Sequence, residues 1–245
     1  MRIGIISDVH ANLEALEAAL AFVEKNSDIT VSLGDAVGYG PDPEKCEELI
    51  SEKCEVKVRG NHEECLIRND FSRMKETART ALEWTREKLS CPSMERIKAW
   101  TEKDSRESAV FVHASLSDHL YKYILSTRDA EPEFSLLDYP VCFVGHTHMP
   151  GGFTRDMSSG KTGVIMPDFS GRIRLKIEDS HRYIINAGSV GQPRDGLPLA
   201  CASVYDTEKK SISLHRIEYP LEKTRKKIIE RGLPSVLARR IMQAV

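Results

Sequence analysis

Five short apolar runs between Ile3 and Val144 each end at residues that can bind a metal ion. One of them, residues 29–33, stops at Gly34 and is followed by Asp35 in a turn rich in glycine and proline. Near-continuous apolar runs of this length predict strands that are buried on both faces, as in a parallel sheet. The pattern therefore predicts an α/β fold with polar side chains at the ends of its strands.

The other four runs have the same arrangement of apolar segment and polar ending. They are followed by Asp8-Val9-His10, by Gly60-Asn61-His62-Glu63, by His113 and by Gly145-His146-Thr147-His148. In open α/β sheets, sites lie outside the carboxyl ends of the strands. If the five runs are neighbouring, largely parallel strands, we expect their ligand-type residues to gather at one edge of one sheet.

Helical spacing of apolar residues predicts four helices in the first half of the chain, over 12–25 with Asn12 as cap, 43–53, 71–89 and 93–102. The helical stretch at about 71–103 carries no ligand motif, so we expect it to cover the sheet or to form a wall of the site. A second helical region is predicted at about 220–245, broken at Gly232-Leu233-Pro234. We expect its basic residues, including Lys227, to be in solvent and its apolar residues, including Ile229, to be docked.

Beyond Pro150 the pattern changes to short strands, with a hairpin turn at 206–210. Early α/β units followed by antiparallel strands predict two packed sheets with helices outside. The candidate ligands are spread from Asp8 to His148 and have to meet. We therefore expect a single domain over residues 1–245.

Composition narrows the class of protein and its partners. The 35 basic and 37 acidic residues nearly cancel, which argues against a dedicated nucleic-acid surface. The sequence has no apolar segment long enough to span a bilayer and no secretory pattern at its start, so we expect a cytoplasmic protein without membrane contact. The six cysteines form no C-x-x-C pair, which predicts free and mostly buried thiols. The sequence does not determine the oligomeric state, and a homo-oligomer is compatible with it.

Carboxylate, amide and imidazole groups without thiolates suit Mn, Fe, Co, Ni or Zn. Because residues i and i+2 share a face of an extended chain, Asp8 with His10, and His146 with His148, can each chelate from one side. Taken singly, each residue has an ordinary structural role as an alternative, such as a turn cap. Asp35 can lend one oxygen to each of two cations, typically ~3.5–4 Å apart, which can hold a hydroxide and bind phosphoryl oxygens.

The ordered set of motifs resembles the signature of the calcineurin-like metallophosphoesterases. It consists of Asp8-x-His10, Gly34-Asp35, Gly60-Asn61-His62-Glu63, His113 and Gly145-His146-Thr147-His148. The segments around Tyr39 and Arg194 are similar to a small prokaryotic, phosphodiesterase-like branch of that family. The resemblance implies the metallo-dependent phosphatase fold, a four-layer αββα sandwich of two mixed sheets flanked by helices. Where related sequences commonly have His-Gly-Ser-Pro, this chain has His113-Ala114-Ser115-Leu116, which leaves the path of that loop open.

The resemblance also assigns roles by position. It implies two divalent transition-metal ions, with manganese as the first expectation and Fe, Zn, Ni or Co as alternatives. One ion would be bound by Asp8, His10 and His148, the other by Asn61, His113 and His146, and both by Asp35. His62 would protonate the leaving alkoxide or orient the substrate. Asn61, Arg194 and Tyr39 are candidate substrate contacts, although Arg194 and Tyr39 also fit ordinary turn positions.

We therefore expect a binuclear-metal-dependent phosphoesterase that hydrolyses a phosphodiester or phosphomonoester, with a small nucleotide-like molecule as substrate. Attack would come from the metal-bridging hydroxide. A protein phosphatase acting on phosphoserine or phosphothreonine is the alternative within the enzyme class. A non-catalytic scaffold of the same fold is the alternative outside it, and metal analysis would separate a scaffold from an enzyme.

Overall fold

The computed structural model describes residues 1–245 as two six-stranded sheets with helices on their outer sides. The strands are β1 (Arg2–Ile6), β2 (Ile29–Ser32), β3 (Val56–Lys57), β4 (Lys103–Arg106), β5 (Ala109–Val112), β6 (Val141–Val144), β7 (Gly151–Asp156), β8 (Thr162–Ile165), β9 (Ile173–Lys176), β10 (His181–Asn186), β11 (Ala200–Asp206) and β12 (Ser211–Ile217). The helices are α1 (Leu13–Asn26), α2 (Pro43–Lys53), α3 (Asn61–Arg68), α4 (Glu76–Lys88), α5 (Cys91–Lys98), α6 (Thr127–Phe134), α7 (Leu221–Glu230) and α8 (Ser235–Gln243).

Both sheets are mixed, as the resemblance implied. The first has the order β3-β2-β1-β11-β12-β9, with β1, β2 and β3 parallel. The second has the order β4-β5-β6-β10-β7-β8, with β5, β6 and β10 parallel. The five ligand-bearing strands are thus divided between the sheets, so the expectation of one edge of one sheet is wrong. Two sets of parallel strand ends meet across the packed sheets instead.

The layer between the two sheets is apolar and draws on both of them. Ile3 and Ile5 of β1 pack in one cluster with Phe111 of β5 and Phe143 of β6, and the two phenyl rings lie 5.9 Å apart. Ile6 belongs to a second cluster beneath α1. Burying one such side chain contributes about 1.5–3 kcal/mol. This packing fixes the strand ends against each other, which sets the position of the side chains that follow them.

Most predicted helices are found, with shifted boundaries. The side chain of Asn12 accepts a hydrogen bond from the Ala15 N–H at 3.2 Å and caps α1, and α2 has its predicted bounds. The helix expected from residue 71 begins at Glu76, because the carboxylate of Asp70 accepts the Ser72 N–H and forms a turn. The next helix is α5, which ends before residue 102.

Three elements were not predicted. The segments of α3 and β4 carry charged residues in place of a clear apolar period, and α6 contains Pro132. Their existence depends on contacts with distant residues, which periodicity does not report. All six cysteines are free and all but Cys91 are buried, as predicted. None of the helices combines the length and apolar character needed to cross a membrane.

The C-terminal helices α7 and α8 are separated at the predicted break. Ile228, Leu237 and Ile241 are buried in one cluster with Ala81 of α4. Two expectations about α7 are wrong. Ile229 is 51% exposed, and Lys227 forms ion pairs with Glu14 and Asp42 at 2.5 and 2.8 Å rather than lying in solvent.

Candidate metal centre

The seven candidate ligands lie together where the two sheets meet. Asp8 and His10 follow β1, Asp35 follows β2, His113 follows β5, and His146 and His148 follow β6, while Asn61 opens α3. All seven are buried. Their metal-binding atoms fall into two sets, Asp8 with His10 and His148, and Asp35 with His113 and His146, each with atoms within 4.8 Å of one another. The resemblance implied the same groups of aspartate and histidine, with Asn61 added to the second and with Asp35 shared by both.

In the first set, Nε2 of His10 lies 3.0 Å from Nε2 of His148. Oδ1 of Asp8 lies 3.4 Å from the same atom of His148 and 3.9 Å from that of His10. In the second set, Nε2 of His113 lies 3.1 Å from Oδ1 of Asn61 and 3.2 Å from Nδ1 of His146. Each set therefore presents nitrogen and oxygen donors toward one common point.

Asp35 stands between the two sets. Its Oδ2 is 3.4 Å from Nε2 of His113 and 3.7 Å from Nε2 of His10. Its Oδ1 accepts the backbone N–H of His62 at 2.9 Å. We expected each carboxylate oxygen to face one ion, whereas Oδ2 alone faces both sets. The other oxygen is used to hold α3 against the site.

The imidazoles are oriented by backbone carbonyl groups. Nδ1 of His10, His113 and His148 faces the carbonyl oxygens of Val37, Leu33 and Gln192, at 3.2, 2.8 and 2.6 Å. A carbonyl only accepts, so in the neutral ring the nitrogen that faces it carries the proton and the other nitrogen carries the lone pair. The lone pairs of His10 and His148 thus point at each other across 3.0 Å. A cation between them removes that repulsion, so the donors fit a metal ion.

The charge balance also calls for a cation. No lysine or arginine lies within 4.0 Å of the buried carboxylates of Asp8 and Asp35, and histidines are the only basic side chains in that range. Burial raises the pKa of Asp8 to about 7. Burial also acts on Asp35, but the surrounding histidines, His113 and His62 foremost, together outweigh it and hold the pKa of Asp35 well below its usual range. In return, although burial lowers the pKa of His113, Asp35 raises it to about 9.

The backbone at the centre adopts conformations that most residues avoid. Asp8, His10, Asp35, His146 and His148 all have positive φ, between 48° and 64°. A non-glycine residue in this region costs of order 1–3 kcal/mol and persists only when its surroundings enforce it. Five such residues at one point indicate that the fold holds these side chains for function.

Glu63 is a site residue that the sequence analysis quoted in a motif without giving it a role. It is fully buried, and its Oε2 accepts the N–H groups of Asp35 and Gly60 at 2.8 and 2.9 Å. Its Oε1 accepts the Val37 N–H at 3.2 Å. Glu63 therefore joins the turn that carries Asp35 to the start of α3. Its place three residues after Gly60, where a capping box has a glutamate, was the available signal.

His62 and Tyr39 lie beside the centre. Nε2 of His62 is 3.9 Å from Oδ2 of Asp35, and burial lowers the pKa of His62. His62 also forms a third set of clustered atoms with His10 and Asp35, which makes a ligand role for His62 an alternative to proton donation. The ring of Tyr39 lies 4.7 Å from the rings of both His10 and His62. Tyr39 is thus packed against site residues and also lines the cleft above them.

The loop after β10 returns to the site. Its Ser189 hydroxyl and Gly191 N–H donate to the carbonyl oxygen of Asp8 at 2.7 and 3.0 Å. Arg194 follows, half-buried at the cleft, with Nη2 3.2 Å from Oε1 of Gln192 and no carboxylate within 4.0 Å. Its guanidinium is therefore available to an anion.

The loop that departs from the common His-Gly-Ser-Pro pattern has a regular path. Ala114 has no positive φ, so a glycine is not required there. The loop closes through the N–H groups of Ala114 and Ser115, which donate to the carbonyls of His119 and Asp118 at 2.9 and 3.1 Å. His113 keeps its place at the centre.

A cleft of about 650 Å³ opens above the centre. Asn61, His62, His146 and His148 lie at its floor together with Asp35. Its walls include residues that the sequence did not single out, among them Arg73, Lys75, Tyr121, Tyr123 and Arg240. The segment just before α4 supplies two of them, so the expectation that the 71–103 region forms a wall is confirmed.

The chain forms a helix-flanked sandwich of two mixed sheets, with buried histidines and aspartates where the sheets meet. This combination is that of a metal-binding hydrolase, and sequence comparison identifies the family. The model of the calcineurin-like phosphoesterase superfamily domain matches residues 1–210, so the chain belongs to this family. It is a metal-dependent phosphoester hydrolase, and the family and the His/Asp clusters indicate that it binds divalent metal.

Individual relatives agree with this assignment. The chain is 31% identical over 247 residues to an uncharacterized protein of Methanocaldococcus jannaschii, covering 98% of this chain and 96% of that protein. It is similar to the crystal structure of a metallophosphoesterase from Sphaerobacter thermophilus, with 37% identity, a TM-score of 0.89, and coverage of 100% of this chain and 99% of that chain. A hypothetical protein from Pyrococcus horikoshii shares the fold, with 16% identity, a TM-score of 0.81, and coverage of 100% and 98%.

Proposed function

We propose that the chain hydrolyses a phosphodiester or phosphomonoester of a small, nucleotide-like molecule at a centre for two divalent transition-metal ions, with manganese as the first choice. Asp8, His10 and His148 would hold one ion, and Asn61, His113 and His146 the other, with Asp35 shared. When bound, such ions neutralise phosphoryl oxygens and activate water as the nucleophile.

The observation that carries this proposal is the position of Asp35. One oxygen of a buried carboxylate lies 3.4 and 3.7 Å from histidine nitrogens of two separate donor sets, with no basic side chain other than histidine nearby. A single mononuclear site would need only one of these sets. The duplication favours two ions that share Asp35.

The protein's own residues would orient the substrate and deliver a proton. Nε2 of His62 faces the centre and borders the cleft, so it can donate a proton to the leaving oxygen. Arg194, without a carboxylate partner, can bind a phosphoryl oxygen. The side-chain amide of Asn61 offers its oxygen to the second donor set, and its NH₂ group, which contacts Sδ of Met74 at 4.0 Å, has a second N–H that can donate to the substrate.

The cleft supports a small substrate. Its volume of about 650 Å³ is within the range of small-molecule sites, ~300–1,000 Å³. For this reason we propose a nucleotide-like molecule, rather than a phosphorylated protein, as the preferred substrate. A phosphoserine peptide hydrolysed as fast as the best nucleotide substrate would contradict that order.

The proposal is tested with the Asp35→Asn variant. Bound metal is measured by plasma mass spectrometry after dialysis against manganese, and activity is measured on p-nitrophenyl phosphate and on bis(p-nitrophenyl) phosphate. We expect two ions per chain in the unchanged protein and loss of at least one ion and of activity in the variant. The exposed Asp28, paired with Arg2, provides the matched control Asp28→Asn. Full activity of Asp35→Asn would refute a shared ligand.

The role of His62 is tested separately with His62→Ala. A proton donor matters most for poor leaving groups, so we expect the variant to keep its metal and to lose far more activity on alkyl esters than on p-nitrophenyl esters. Loss of one ion would instead identify His62 as a ligand, which is the alternative raised by its cluster with His10 and Asp35.

A further inference from the structure

The walls of the cleft carry more positive charge than the scissile phosphate needs. Four basic residues line it, Arg73, Lys75, Arg194 and Arg240, and none of them has a carboxylate within 4.0 Å. Glu76 has the one acidic side chain among the wall residues above the metal floor, and it has no ion pair with any of the four. Uncompensated cations that converge on a cleft attract anionic ligands.

One of these cations, Arg73, is linked to the metal centre by a chain of contacts. The guanidinium carbon of Arg73 lies 4.7 Å from the ring centre of Tyr121, and a stacked arginine is held with its donors directed outward. The carbonyl oxygen of Tyr121 lies 3.2 Å from Nε2 of His146. Lys75 follows Arg73 in the same segment before α4. Arg73 and Lys75 thus flank the side of the centre that holds His146.

A second aromatic residue of the cleft, Tyr123, lies against the centre. The ring of Tyr123 stacks on the imidazole of His146, with centroids 4.2 Å apart and an angle of 26° between the planes. Tyr123 remains 46% exposed at the cleft. An exposed aromatic face beside a phosphate site can stack a nucleobase.

We infer that Arg73 and Lys75 bind a second phosphate group of the substrate, one that is not cleaved, while Tyr123 stacks on the base of the nucleoside whose sugar carries the two phosphates. The inference rests on the proposed function, because it takes the cleft to be the substrate site. It narrows the substrate class to nucleotides that carry at least one phosphate besides the scissile one.

The test compares thymidine 3′,5′-bisphosphate with thymidine 5′-monophosphate as competitive inhibitors of p-nitrophenyl ester turnover by the manganese-loaded protein. The two nucleotides differ only in the remote phosphate. We expect the bisphosphate to bind about tenfold tighter or more, since a hydrogen bond to a charged group is worth ~1.5–3 kcal/mol. In the Arg73→Ala/Lys75→Ala variant, this ratio should fall to about one, with the inhibition constant of the monophosphate unchanged within about twofold.

The control is Lys88→Ala. Lys88 lies over the ring of Trp84 at 5.7 Å, in the same kind of contact as Arg73, but outside the cleft. It should leave the ratio unchanged. A wild-type ratio near one, or a ratio unchanged in the double variant, would overturn the second phosphate subsite while leaving the proposed function standing.

Failure of the proposed function gives a different result. If no ester is hydrolysed under any metal, the proposed function is refuted, and the same two nucleotides are compared by calorimetry without interference from turnover. A bisphosphate preference that depends on Arg73 and Lys75 would then still support the subsite, and equal affinities would refute it.

Discussion

Replacing Glu63 should damage the metal centre although Glu63 is not a candidate ligand. Its carboxylate accepts three backbone N–H groups, from Asp35, Val37 and Gly60, in a fully buried position. Glu63→Ala would leave all three groups unpaired, and each costs about 1–3 kcal/mol, so we expect a loss of roughly 3–9 kcal/mol in the free energy of unfolding. Glu63→Gln keeps one oxygen and turns an NH₂ group toward a donor. For this change we expect a loss of about 1–3 kcal/mol.

The loss of stability should be accompanied by a loss of metal affinity. Glu63 fixes the backbone on which Asp35 stands, and removing a partner that orients a ligand typically lowers metal affinity or activity ~10–100-fold. Stability is measured by urea denaturation of chelator-treated protein, so that bound metal does not contribute. Manganese affinity is measured by calorimetry on folded protein. Glu63→Gln is the more informative variant, because it should remain folded.

Glu64→Gln is the matched control. Glu64 is the neighbouring residue and is also buried, but its ion pairs are with Arg59 and Arg68, which are not part of the site. We expect this variant to lose stability and to keep its manganese affinity. Wild-type manganese affinity in Glu63→Gln, or equal losses of affinity in both variants, would refute the positioning role of Glu63.

Two further predictions concern metal removal and pH. At a manganese concentration of about 100 Kd, binding to the folded state adds ~2.7 kcal/mol, so EDTA should lower the melting temperature by roughly 5–11 °C, as read by calorimetry, and added manganese should restore it. Burial alone would raise the pKa of Glu14, but Lys227, Lys223 and Thr224 hold this pKa below its ordinary value. The ionised Glu14 therefore stabilises the folded state at pH values above its unfolded pKa, and this contribution is lost as the pH falls through the lower folded pKa. Lys227→Met should raise that folded pKa and shift acid unfolding, followed by circular dichroism, to higher pH, whereas Lys226→Met, which removes only an exposed pair, should not.

The candidate ligands were predictable because each follows an apolar run. A short buried strand is recognised in the sequence by its apolar composition. The first polar residue after it lies at the end of the strand, whichever strand it pairs with. Asp8 and His113 are found in this way from local sequence alone. The partner of each strand cannot be found from local sequence, because periodicity indicates that a run is a strand but not which strand it pairs with. Two packed sheets were predicted from the order of helices and strands, but the division of the ligand-bearing strands between them was not.

Contacts between distant residues mark the limit of the sequence analysis. Lys227 belongs to a basic run that reads as an exposed helix face, and only the docking of α7 brings it to Glu14 and Asp42. Arg73 and Tyr121 likewise have no local signal, since a cation and an aromatic ring far apart in sequence become neighbours only in the folded chain. The cleft walls were therefore not predictable from the sequence.

The centre is held in shape by hydrogen bonds that do not involve the metal. The imidazole of His148 is fixed by the carbonyl of Gln192, that of His113 by the carbonyl of Leu33, and the backbone of Asp35 by Glu63. Asp35 and His148 themselves have positive φ. These hydrogen bonds use atoms other than the ligand atoms, so they restrict the ligands independently of the ion. Little conformational entropy is then lost on binding, and the free energy of metal binding adds to the stability of the folded chain. Metal removal should therefore lower the melting temperature without unfolding the protein.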